Sequence, residues 1–156
     1  MNEEEIKRLI GNIGEEIVHQ YHPNSERSDD WFDDCKDLMI DSLKCEIKTI
    51  TKIIKFNEFW IDAKQEKKIK GVDILFIVEI PMYIREINVY ICPNNKLLRV
   101  VKRQRRNEYV DVLAVPESKL YKLFSLTNDP RIDQLIELSD ELSSFRRNTR
   151  HFRSEL

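Results

Sequence analysis

Apolar residues recur at helical spacing near the start of the chain. Ile6, Leu9, Ile10, Ile13 and Ile17 share one face, which predicts an amphipathic helix over roughly residues 3–22. Pro23-Asn24-Ser25 turns the chain. Residues 24–36 are polar and acid-rich, with Trp31 and Phe32 as anchors. Two short strands are expected near 37–41 and 43–51, joined by a polar turn, and 52–60 suits either strand or loop. Ala63 to Lys70 reads as a short basic helix with Gly71 just past its end. Val72 to Ile80 is an almost unbroken β-branched and aromatic run, as expected of a central strand buried on both faces, and Pro81 ends it. Ile87 to Ile91 is a further strand, Pro93-Asn94-Asn95 a turn, and Tyr109 to Val115 alternates as a strand does. After Pro116, the spacing of Leu120, Leu123 and Phe124 predicts a short helix. Leu135, Ile136, Leu138 and Leu142 define a closing helix over Asp133 to Phe145. The economical architecture is α/β: one mixed sheet flanked by helices, with a C-terminal helix. Residues 1–145 read as one domain, and Arg146, Arg147, Arg150 and Arg153 mark 146–156 as a basic tail.

Composition narrows this picture. A chain of 156 residues, 41% hydrophobic and 35% charged, suits one globular domain with a real core and a charged surface. The net charge of −2 gives no general attraction to nucleic acid, so any such contact rests on local patches. Three patches stand out: Lys64, Lys67, Lys68 and Lys70; the run Lys102-Arg103-Gln104-Arg105-Arg106; and the tail. Cys35, Cys45 and Cys92 are odd in number and lack CxxC spacing. That pattern argues for reduced thiols, against zinc, and for a cytoplasmic protein. The acidic N-terminus is unlike a signal peptide, and no apolar run has the length of a membrane span. No P-loop, GxGxxG or nucleophile elbow is present, which leaves NTPase, dinucleotide and serine-hydrolase readings without support. His19 and His22, three apart near the end of the first helix, read as partners of the helix dipole.

The candidate chemistry lies in the two strands after residue 36. Asp37 opens the first, and Glu46 and Lys48 lie two apart on the second. Side chains alternate along a strand, so Glu46 and Lys48 point one way while Cys45 and Ile47 point the other. Two carboxylates and an ammonium at one sheet edge suit phosphodiester hydrolysis. Hard cations such as Mg2+ take carboxylate oxygens, a bound cation activates water and polarises phosphate, and a lysine stabilises developing charge. The Ile47 carbonyl is a further oxygen in reach of such an ion. The plainer reading is an exposed strand face laced with cross-strand ion pairs.

At these residues the sequence resembles the PD-(D/E)XK nuclease superfamily. Glu46-Ile47-Lys48 matches E-x-K and Asp37 stands at the usual distance upstream, although Lys36 replaces the proline of the motif. Asp33 and Asp34 are rival first acids. Gly11-Asn12-Ile13-Gly14-Glu15 fits the G-x-x-G-E context of a helix glutamate in such proteins. The helical wheel sets Glu15 opposite the apolar stripe and Glu16 beside it, so Glu16 is the rival there. Gln65, in Ala63-Lys64-Gln65-Glu66, stands where many members carry a glutamine on the helix after E-x-K. The resemblance covers residues 5–92. It implies a restriction-endonuclease-like αβββαβ core and Mg2+ or Mn2+ on Asp37, Glu46 and the Ile47 carbonyl. It further implies catalytic roles for Lys48, Glu15 and Gln65, and DNA as substrate with RNA as the weaker option. So small a domain suggests a homodimer on duplex DNA, with the closing helix as a candidate interface. The alternative is a non-catalytic nuclease-fold module that binds nucleic acid or a protein.

Overall fold

The computed structural model describes residues 1–27 and 37–154. Its first helix, α1, is Glu3–Tyr21. The Asn2 side chain caps it by accepting from the Glu5 N–H, and Glu3, Glu4 and Glu5 face the positive end of the helix dipole. Ile6, Ile10, Ile17 and Val18 line its buried face. The strands among the described residues are β1 Glu26–Arg27, β2 Leu38–Ile40, β3 Leu43–Ile50, β4 Lys52–Ile53, β5 Glu58–Asp62, β6 Ile74–Glu79, β7 Ile87–Cys92, β8 Arg99–Arg105, β9 Glu108–Pro116 and β10 Tyr121–Leu126. Helix α2, Glu66–Gly71, follows a 3-10 turn at Ala63–Gln65, and α3, Arg131–Ser154, closes the chain.

Two sheets form, where the hydrophobic pattern alone suggested one. The larger is mixed, in the order β1-β2-β3-β6-β7-β10, with β3 and β6 parallel. The smaller is antiparallel, in the order β4-β5-β9-β8. Residues of alternate parity divide the large sheet into two cores. Cys45, Ile47, Phe76, Val78, Ile87 and Val89 meet α1 and α3, whose Ile132 and Leu135 are buried there. Leu75, Ile77, Tyr90 and Cys92 meet Phe59, Ile61, Leu113 and Val115 of the small sheet and Ile69 of α2. The run expected as a central strand is β6, which is covered on both faces. Cys45 and Cys92 are free and buried, while Cys35, Trp31, Phe32, Asp33 and Asp34 lie outside the described residues.

Two local expectations are corrected. The segment after Pro116 is not helical beyond a short turn; it is β10, paired with β7. A register shift between Lys122 and Phe124 interrupts its alternation, leaving Leu120, Leu123 and Phe124 at a spacing that imitates a helix. The basic run at 102–106 lies mostly in β8, an edge strand exposed along most of its length. Gly71 is the last residue of α2 and has no positive φ. The end of that helix is held instead by buried Asn95, whose Nδ2 donates to the carbonyls of Ile69 and Val72.

Helix α1 reaches the sheet through Gly14. A β-carbon there would stand 1.8 Å from Oγ1 of Thr49 on β3, so only a glycine permits this approach. Gly14→Ala is expected to push α1 off β3 and destabilise the fold by about 1–3 kcal/mol. A urea melt measures this; unchanged stability would show that the helix does not depend on that contact. Among the described residues no helix is long and apolar enough to cross a membrane.

Candidate active site

β2 and β3 form a hairpin whose turn residues, Asp41 and Ser42, have φ of 48° and 69°. Successive positive φ values are the mark of a tight two-residue hairpin, and this one fixes the register of Asp37 against β3. The Asp37 N–H donates to the Cys45 carbonyl at 2.9 Å, and its carboxylate Oδ2 accepts from the Ile47 N–H at 2.9 Å. The aspartate side chain thus continues the ladder where β2 has not yet begun. A strand residue's N–H and C=O point to the same side. The Ile47 carbonyl therefore faces the Asp37 edge as well.

Glu46 projects to the opposite face from Cys45 and Ile47 and is only 1% exposed. Lys48 Nζ lies 3.3 Å from its Oε1 and Lys68 Nζ lies 3.4 Å from its Oε2. Oε2 has no hydrogen-bond partner among the described residues. Lys48 is held in turn by Gln65, whose Oε1 accepts from Nζ at 3.0 Å. Gln65 ends the 3-10 turn entered from β5, and the Asp62 side chain fixes that turn by accepting from the Lys64 N–H. Burial pushes the Glu46 carboxyl up to about 7; Lys48 opposes the rise, and the neighbouring carboxyl of Asp37 adds to it.

On the helix side, Glu15 is raised above the ordinary carboxylate range by burial and then by Asp37, with Arg27 opposing. Arg27 Nη2 stands 3.1 Å from Glu15 Oε2, and β1 sets Arg27 opposite Leu38, next to Asp37. Glu16, half-exposed, pairs with Arg131 instead. The wheel misplaces Glu15 because it counts Gly14 as neutral, whereas Gly14 is buried against β3 and draws its neighbour toward the site.

The structure therefore brings Glu15, Asp37, Glu46, Ile47, Lys48 and Gln65 to one edge of the large sheet. It adds two cations that the sequence reading gave no individual role. Lys68 belonged to a general basic patch, and its spacing of three from Gln65 was the available signal. Arg27 had none, because β1 is two residues long. His19 is bound to Ser25 at 2.6 Å and takes no part.

Whether these residues suit a divalent ion can be judged from the donors. Among the described residues no three His, Cys, Asp or Glu side chains form a ready-made metal cage. Magnesium does not require one, since it binds through one or two carboxylates and keeps several waters. Glu15 and Glu46 carboxyls raised by burial and by the neighbouring Asp37, a buried Glu46 oxygen without a hydrogen bond and a carbonyl on the same edge are donors that fit such an ion. Comparison with protein-family models, curated proteins and solved structures finds no match.

Proposed function

We propose that the chain is a metal-dependent nuclease with a restriction-endonuclease-like core, hydrolysing DNA phosphodiester bonds at Asp37, Glu46 and Lys48. The observation that carries this reading is the state of Glu46. It is a buried carboxylate with one oxygen not hydrogen-bonded, set beside a second acid and two lysines. A purely structural ion pair at that depth needs its oxygens satisfied. Asp37, Glu46 and the Ile47 carbonyl hold the ion in this proposal. Bound there, Mg2+ or Mn2+ supplies Lewis acidity and a water of lowered pKa. Lys48, oriented by Gln65, stabilises the charge that develops on the phosphate. Glu15 and Arg27 position Asp37 from the helix side.

A second reading, a non-catalytic nucleic-acid or protein-binding module, has an observation of its own. Each acid already has an internal partner: Arg27 for Glu15, the Ile47 N–H for Asp37, and the lysines for Glu46. The two readings part in one assay. Plasmid, single-stranded and branched DNA, with RNA alongside, are incubated with the protein in Mg2+ or Mn2+ and in EDTA. Cleavage of DNA that EDTA abolishes is expected. No cleavage of any substrate in either metal would remove the catalytic reading, and cleavage of RNA alone would reassign the substrate.

A further inference from the structure

We propose that the β8–β9 hairpin is an arm that grips the phosphate backbone of the bound nucleic acid through Arg105 and Arg106. The location of that nucleic acid, over the Asp37–Glu46–Lys48 site, rests on the nuclease reading above.

Strand register sets the arm's position. Asp62, the last residue of β5, pairs with Val112 of β9. Residues 108–111 and their partners 102–105 therefore continue past the end of β5. Arg103, opposite Val110 in this overhang, nonetheless reaches back to Glu58 at the start of β5 at 2.7 Å, so the ribbon curls rather than running straight on. The end of β5 leads directly into the turn that carries Gln65, which holds Lys48. In register the tip thus lies on the side of the small sheet where β5 leads into the turn that orients Lys48.

Charge on the hairpin is divided between fold and tip. Lys102 is paired with Asp111 at 3.3 Å, and Arg103 with Glu58 at 2.7 Å. The side chains of Arg105 and Arg106 have no ion pair or hydrogen bond among the described residues. Glu108 stands opposite Arg105 in register without forming an ion pair to it. Tyr109, beside them, is 73% exposed. The tip therefore presents two uncommitted guanidinium groups on a two-stranded ribbon, a shape that a major groove admits. Arg106 also has a φ of 60°, the left-handed region where glycine or asparagine is at ease and arginine is strained. Strain of this kind persists where the surroundings hold it and is concentrated at functional positions.

The strain supplies a discriminating variant. Arg106→Gly relieves the backbone while removing the charge, so folding is maintained or improved as nucleic-acid binding falls. Binding of a labelled DNA duplex to the full chain is measured by anisotropy in EDTA, where the metal needed for cutting is absent, across a range of salt. Each lost phosphate contact flattens the dependence of log K on log salt by about 0.9. Arg106→Gly is expected to lower the slope by about 0.9 and Arg105→Ala/Arg106→Gly by about 1.8, with the thermal midpoint of Arg106→Gly unchanged or raised. Slopes equal to wild type, in a protein that still binds and cuts DNA, overturn the arm and leave the nuclease reading standing. Flattened slopes in a chain that never cuts uphold the arm and remove the nuclease reading. A wild type that binds an acidic polypeptide but no nucleic acid overturns the arm.

Discussion

Lys48→Ala is expected to lower DNA cleavage about 10^2–10^3-fold at saturating metal, the loss typical of removing one preorganised donor from a developing oxyanion. Two features of the site make this a clean experiment. The first is that Glu46, left with Lys68 alone, can take up a proton, because its carboxyl already stands near 7. The usual cost of stranding a buried charge is thereby reduced, and the variant should fold. The second is that the loss divides into two parts. Without Lys48, which opposes the rise, the Glu46 carboxyl moves higher still, so metal binds less tightly at neutral pH. Raising the pH and the metal concentration restores that part but not the missing charge on the phosphate. Gln65→Ala keeps the ammonium and loses only its orientation, and should cost less, on the order of tenfold. Cleavage by Lys48→Ala within threefold of wild type, in protein shown to be folded by circular dichroism, would take Lys48 out of the chemistry.

The second large effect concerns stability. In the unfolded chain Glu46 titrates near 4.5, and in the fold near 7. Between those values the folded protein keeps a proton that the unfolded chain has released. The metal-free protein must therefore lose stability as pH rises from about 4.5 to about 7 and level off above that. At about 1.4 kcal/mol per pH unit the loss from Glu46 is about 3 kcal/mol. Glu46 is 1% exposed, so solvent screening takes little from this figure. Glu15, also raised, contributes with the same sign. Urea melts at pH 5 and pH 8, compared between wild type and Glu46→Gln, isolate the Glu46 term. The glutamine variant should lack most of the slope. Divalent metal should restore wild-type stability at pH 8, since it binds the ionised carboxylate of the folded state; about 100 times its Kd is worth about 2.7 kcal/mol. A metal-free wild type no less stable at pH 8 than Glu46→Gln, relative to pH 5, would contradict the raised carboxyl.

Much of the first half of the fold was legible because its signals are local. The stripe of Ile6, Ile10, Ile13 and Ile17, the strand pair around the Asp41-Ser42 turn and the apolar run of β6 each announce their structure within a few residues. What was hidden depends on pairing at a distance. The second sheet exists because β5 pairs with β9 some fifty residues later, and neither strand carries a mark of its sheet. Strand β8 takes its order from the β9 backbone, so its side chains from Lys102 on can all be polar and read as a charge cluster. The site follows the same division. Glu46 and Lys48 share a face by strand parity alone. Glu15 over Glu16 was decided by a glycine packing against Thr49, a contact invisible to a helical wheel.

The most direct test of the account sets wild type beside Asp37→Ala on plasmid DNA with Mg2+. Asp37 is the group that joins the helix glutamate, the Ile47 backbone and Glu46. Cleavage by wild type and loss of at least about a hundredfold in Asp37→Ala is the predicted result. Equal cleavage by the two proteins, or none by wild type, would contradict it.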